Sequence, residues 1–426
     1  VSRILLKDAM ALLPDCSELR SSDLLIEDGV ITAIADSLTP EGDVELRDAA
    51  GKLLLPALCD VHVHLREPGG ESRETLHSGT EAAIAGGFSR VLAMPNTTPP
   101  VDSGGLVTFV QSMAEKNCRI PVSVAGCLTE GRKGEKLAEI ADMVAKGAVM
   151  VTDANHVLKD AYVLRRALEY CRPFDVVVSV FPDTPALSGE GVMNEGRQSF
   201  RLGLPGIPAM AEEIGIEREC RVAEATGGRI HIQNVSTAGG VESIRRFKAA
   251  GVRVTAEVTP HHLLLDESQL EGYNPSFKMM PPLRGAADRE ALLEGLRDGS
   301  LDMIATGHAP HTDFEKNLDF MHAPFGVIGL ETALPALYEG LVKPGLLDWS
   351  LLVERMAFAP RRLLGLPMNP LSVGTPLDAL LFDPLGQTWL TRENLRSLSH
   401  NSPWLNVPLV GRVEDVYLGA EALLSS

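Results

Sequence analysis

Two histidines separated by a single residue carry the first chemical signal in this chain. They are His62 and His64 of Asp60-Val61-His62-Val63-His64-Leu65-Arg66, which follows the apolar run Leu53-Leu54-Leu55-Pro56-Ala57-Leu58-Cys59. Side chains alternate faces along an extended strand, so both imidazoles project to one side while Val61, Val63 and Leu65 face packed neighbours. Two convergent imidazoles are half of a metal site: zinc takes three or four N, O or S ligands, and a catalytic ion keeps one position open for water. The same spacing also arises from histidines that are merely hydrogen-bonded, so the pair alone leaves both readings open.

The wider context narrows them. The stretch from Asp60 to Gly69 resembles the first metal-binding strand of the dihydroorotases of the amidohydrolase superfamily. Further matching segments follow in family order: Met94-Pro95-Asn96-Thr97, Leu204-Pro205-Gly206-Ile207-Pro208, Val258-Thr259-Pro260-His261-His262, His308-Ala309-Pro310-His311 and Ala323-Pro324-Phe325-Gly326. The resemblance implies zinc as cofactor, polarising a cyclic amide carbonyl and lowering the pKa of a bound water towards ~7. It also implies a bridging carboxylate or carboxylated lysine, two further histidines from later strands, and an Asp near the barrel's end as ligand and proton shuttle.

Each implied position has an occupant in this sequence. The bridging acid resembles the second Asp of an Asp-Asp-Gly turn; here Thr152-Asp153-Ala154-Asn155 puts Ala154 at the ligand position, with Asp153 as its neighbour. Asp153 would need a one-residue shift to face inward. The next histidine position, reckoned back from Met193-Asn194-Glu195-Gly196, holds Phe181. The one before Val235-Ser236-Thr237 holds Asn234, a neutral amide and a poor zinc ligand beside imidazole. Gly307 stands where the Asp is implied, and supplies neither ligand nor base. Only His62 and His64 keep metal-binding side chains, so zinc is expected to be absent or held weakly as a single ion. Once the ion is gone, a buried unpaired carboxylate or imidazole carries a desolvation cost, and small or apolar replacements remove it.

On the substrate side the resemblance assigns Arg66, Asn96 and His308. Arg66 and Asn96 match positions that hold the carboxylate of dihydroorotate, for which a guanidinium fork is suited. Met280 replaces an Asn that often contacts the pyrimidine. His231, three residues before Asn234, reads as structural and on the opposite strand face; His261 and His262 read as supports of a strand end.

The elements that must position these residues form two textures. From Pro56 to about residue 365, apolar strand-like runs alternate with amphipathic stretches, among them Gly134 to Lys146, Val157 to Tyr170 and Ala287 to Leu296. That alternation predicts parallel βαβ units, about eight of which close a barrel with its site at the C-terminal strand ends. Residues 1–55 and 366–426 instead carry short strands broken by turn residues. The expected fold is therefore α/β: a TIM-like (β/α)8 barrel over 56–365 with a small discontinuous β-sandwich domain from the two terminal segments, as in the resembled family.

Composition bounds the partners. With 45% apolar and 23% charged residues the chain supports a large core, and a net charge of −18 disfavours nucleic acid and anionic membranes. The six cysteines lack any C-x-x-C pair, and no apolar run reaches the length of a membrane helix, which makes a soluble cytoplasmic protein the expectation. Three functions compete. The first is a catalytically silent dihydroorotase homologue, self-associating and serving as a structural or regulatory partner of aspartate transcarbamoylase, a role some members of the family play. The second is an active dihydroorotase or allantoinase-like cyclic-amide hydrolase, using His62, His64 and one further ligand such as Asp153 or His156. The third is a sensor that holds a carboxylated pyrimidine through Arg66 and Asn96 without converting it.

Overall fold

The computed structural model describes residues 3–14 and 18–424. Its centre is an eight-stranded parallel sheet. In chain order the strands are β1 (Leu58–Val63), β2 (Phe88–Ala93), β3 (Val122–Gly126), β4 (Ala148–Thr152), β5 (Val177–Val180), β6 (Ile230–Ile232), β7 (Val254–Val258) and β8 (Met303–Ile304). Each pairs with the next in parallel. The sheet closes where Val63 bridges His308 and the His64 amide donates to the His308 carbonyl at 2.9 Å. This is the expected TIM-like barrel.

Helices cover the outside because their apolar residues recur at helical spacing. In Ala161–Cys171 the buried positions are Val163, Leu164, Ala167, Leu168 and Cys171, one continuous stripe. Asp160 caps that helix through the Tyr162 amide, which is why the predicted stretch from Val157 begins four residues late. The stretch from Gly134 is helical only over Ile140–Ala145, since Thr129 and Leu137 form an antiparallel bridge and the Ala138 amide donates to the Leu128 carbonyl.

The terminal segments share one mixed sheet. The N-terminal strand Leu53–Pro56 pairs antiparallel with the C-terminal strand Asp378–Trp389, and Arg3–Ala11 pairs with Arg20–Glu27 and, in parallel, with Leu53–Pro56. At the far edge the Ile31 amide reaches the Thr375 carbonyl and the Leu377 amide the Gly29 carbonyl, so the sheet folds back around its own core of Ile4, Leu6, Leu24, Ile26, Leu54 and Leu381. Alternation then joins it to the barrel: Leu53, Leu55, Leu380 and Phe382, on the opposite face, belong to the barrel's core. One segment departs from the expected division. Residues 390–407 leave the sheet and cross the barrel rim, where Ser397 and Leu398 bond Glu74 and the Asn401 side chain donates to the Ala309 carbonyl at 3.0 Å. Among the described residues no helix is long and apolar enough to cross a membrane.

Candidate functional site

The C-terminal ends of the strands surround a cavity of about 470 Å³. It is lined by His62, His64, Arg66 and Asn96, by Phe181, Asn234 and Gly307, by His261, expected only to support a strand end, and by residues to which the sequence assigned no role, notably Arg132, Gln233 and His311. The two strand histidines do converge, with ring centroids 5.2 Å apart, while Val61, Val63 and Leu65 are buried in the core. A bulge helps to aim them: β1 spends three residues from Asp60 to Val63 where β2 spends two from Val91 to Ala93.

Each ring is held by a neighbour. His62 Nδ1 lies 2.5 Å from Glu257 Oε1, and the other Glu257 oxygen takes His231 Nε2 at 3.0 Å. Burial alone would raise the Glu257 pKa, but the two imidazoles hold it down to about 2. Burial likewise opposes charge on His62, yet Glu257 outweighs it and the His62 pKa is raised. His64 is the opposite case. Its Nδ1 meets Asn96 Oδ1 at 2.7 Å, and burial, with the charges of Arg66 and His62, pushes its pKa well below the ordinary value.

His231 shares the inward face with Gln233, which corrects its placement on the opposite face. β6 ends at Ile232 and Asn234 has φ 48°, so strict alternation fails between 231 and 234. Its role is still that of a support, bonded to Glu257 and to Thr255 Oγ1 at 2.9 Å.

Asp153 is not turned towards the histidines. One oxygen accepts the Leu128 and Thr129 amides, both at 3.0 Å, and the other accepts Thr129 Oγ1 at 2.5 Å. Three hydrogen bonds commit it to fixing the loop after β3 and it does not line the cavity, while Ala154, at φ 52°, offers only a methyl group. His156 reaches the cavity but gives Nδ1–H to the Arg132 carbonyl at 3.0 Å. Among the described residues no group of three His, Cys, Asp or Glu side chains is arranged to hold a metal. The donor set therefore does not fit the zinc site that the family implies: two imidazoles face a phenyl ring, an amide and a glycine.

His308 is also displaced from its expected role. It lies behind the wall, 1% exposed, with Nε2 3.2 Å from Glu74 and Nδ1 accepting the Gly329 amide at 3.3 Å, and it does not line the cavity. The imidazole that does is His311, whose Nε2–H holds the Phe325 carbonyl at 2.9 Å; burial and the charges of Arg66 and Lys316 push its pKa to about 3. His262 supports the strand end as expected, donating to the Pro281 carbonyl at 3.0 Å, whereas His261 joins the cavity wall. Gln233 sits two residues from His231 and on its face, so placing His231 on the opposite face hid it as well. Arg132 had none, because it reaches the mouth from an irregular loop at φ 60°.

What the arrangement does chemically is present cations. Arg66 gives Nε–H to the Pro310 carbonyl at 3.2 Å, and burial with the neighbouring Arg73 charge lowers its pKa to about 10. Arg132 donates to the Asp153 carbonyl at 2.8 Å and to Asn155 Oδ1 at 2.8 Å. No Asp or Glu stands among the described residues lining the cavity, although Glu315, paired with the lining Arg73, and Glu74 act on Arg66 from behind the wall.

Comparison with known proteins agrees with this geometry at the level of the family. A family model described as dihydro-orotase-like matches residues 51–239. The dihydroorotase of Pelotomaculum thermopropionicum is 45% identical over 382 residues, covering 90% of this chain and 89% of the relative. That of Carboxydothermus hydrogenoformans is 41% identical over 423 residues, covering 98% and 97%. Among solved structures, the L-hydantoinase (dihydropyrimidinase) from Arthrobacter aurescens superposes with a TM-score of 0.87 at 24% identity, over 98% of this chain and 95% of that one, a likeness of fold. By sequence along nearly its whole length, the chain belongs to the dihydroorotase family, as a dihydroorotase-like amidohydrolase barrel.

Proposed function

We propose that this chain is a dihydroorotase-like protein of pyrimidine biosynthesis that has given up turnover and acts as a structural or regulatory partner of aspartate transcarbamoylase. The observation that carries the proposal is the floor of the cavity, where Phe181, Asn234 and Gly307 line the same space as His62 and His64, with Ala154 in the sequence position of the bridging acid. Hydroxide at neutral pH needs a Lewis acid, and a positioned base is itself worth ~10²–10⁴ in rate. This floor offers neither a ligand set for the ion nor a carboxylate for the proton. The barrel around it is intact and closed, which leaves the outer surface as the part that works.

Two measurements on one preparation test this: zinc content by elemental analysis, and the rate of carbamoyl-aspartate cyclisation. Substoichiometric zinc and no turnover are expected. About one zinc per chain with turnover abolished by His62→Ala would instead establish an active hydrolase. Co-expression with aspartate transcarbamoylase tests the partnership; co-purification is expected, and a chain that runs alone beside a self-sufficient transcarbamoylase ends that part of the reading.

A further inference from the structure

A second pocket, of about 350 Å³, adjoins the barrel cavity beside the loops that follow β3 and β4. Arg132, Asn155 and His156 belong to both walls, whereas Lys133, Lys159 and Asp153 line this outer pocket alone. The two loops are locked to each other. Arg132 Nε and Nη2 donate to the Asp153 carbonyl at 3.1 and 2.8 Å, Nη2 also reaches Asn155 Oδ1 at 2.8 Å, and His156 Nδ1–H returns to the Arg132 carbonyl at 3.0 Å. Every acceptor in that clamp is neutral. It fixes the guanidinium in place and leaves Nη1, and the His156 Nε2, without a hydrogen bond among the described residues.

The charges around the pocket do not cancel. Lys133 and Lys159 are exposed, and neither ammonium has an ion-pair or hydrogen-bond partner among the described residues. The carboxylates nearest in sequence are engaged elsewhere: Glu130 pairs with Lys136, and Asp160 accepts the Tyr162 amide at 2.8 Å. Asp153, the one acid on the wall, is 4% exposed and already accepts two amides and the Thr129 hydroxyl. Burial lowers the pKa of Arg132, as expected of a guanidinium drawn out of water beside too little negative charge. Three cations against one acid leave two positive charges in a chain whose net charge is −18. Such a local excess attracts a small anion, and loops clamped in advance spare it the cost of ordering them.

A planar carboxylate is served by one guanidinium and would leave two ammonium groups over. A phosphate dianion matches the excess of charge and offers several acceptor oxygens on one centre. His156 suits it in either protonation state, because an imidazolium Nε2–H donates and a neutral Nε2 accepts the proton of a monohydrogen phosphate. Polyanions are disfavoured, since their many charges meet the field of the whole acidic chain. We propose that the outer pocket binds a phosphate dianion, free or as the monoester of a small molecule, among Arg132, Lys133, Lys159 and His156. The inference depends neither on the loss of turnover nor on the partnership.

The test is calorimetric titration of the full chain, dialysed free of metal so that no ion in the inner cavity takes the phosphate. The probes are inorganic phosphate, glycerol 2-phosphate and malonate, at one ionic strength and slightly above neutral pH, where both phosphates are largely dianions. The phosphates are expected to bind about tenfold or more tightly than malonate, whose two charges are split between separate carboxylates. An ester that binds more tightly than inorganic phosphate makes an organic phosphate the ligand; otherwise the ligand is the free ion. Replacing both exposed lysines, Lys133→Glu with Lys159→Glu, is expected to weaken phosphate binding by about tenfold or more. Malonate bound as tightly as phosphate, or no phosphate binding, overturns the inference on the unaltered protein. Phosphate affinity unchanged in the double variant overturns it too, because the ion then sits at the arginines of the inner cavity.

Discussion

His62 Nδ1 and Glu257 Oε1 lie 2.5 Å apart in the barrel interior, with His231 on the other carboxylate oxygen, so a strand histidine with the spacing of a metal ligand is anchored to a buried ion-paired acid. The arrangement ties β1, β6 and β7 together across the barrel.

Glu257→Gln is expected to lower stability at neutral pH by about 3–5 kcal/mol, the cost of removing one partner from a buried charged network. The pH dependence follows from the depressed pKa. Glu257 ionises at about 2 in the folded chain against an ordinary 4.5, so its contribution is present above 4.5 and is lost as pH falls towards 2. Urea unfolding across that range should show the acid-side loss flattened in the variant; parallel profiles would refute the assignment.

Glu331 has the opposite sign. Burial raises its pKa to about 7, against the amides of Ser397 and Arg396 that it accepts, with Glu74 adding repulsion. Folded chains hold this proton to about pH 7 and unfolded chains only to about 4.5, so the stabilisation is full below 4.5 and is lost as pH rises through 7. Glu331→Gln is expected to raise stability at about pH 8 by about 1–3 kcal/mol relative to its effect at about pH 4. Thermal unfolding of both proteins at the two pH values checks this.

Asp153→Asn separates a ligand from a loop fastener. With three donors aimed at the carboxylate, the substitution is expected to cost about 1–3 kcal/mol while leaving zinc content unchanged. A fall in zinc content would restore Asp153 as a ligand.

Arg361 joins the barrel to the terminal sheet. Its Nη2 donates to Asp378 at 2.9 Å and its Nη1 to the Ala57 carbonyl at 2.8 Å, with both ion-pair partners buried. Arg361→Leu leaves Asp378 charged and unpaired, and a loss of about 3–5 kcal/mol is expected. Denaturant melts followed by tryptophan fluorescence provide the check.

The sequence by itself determined the barrel, the discontinuous sheet and the convergence of His62 and His64, because these depend on periodicity and residue type, which act locally and repeat along the chain. It also named the occupants at the positions of the lost ligands. What only the tertiary structure decided is where side chains point once strands end. Ala154, Asn234 and Gly307 all take positive φ, so alternation no longer predicts direction there. Asp153 turns to the loop after β3, His308 passes behind the wall, and His311, Arg132 and Gln233 occupy the cavity instead. Their partners lie tens to hundreds of residues away, and pairings over such distances are set by the closure of the barrel rather than by any local pattern.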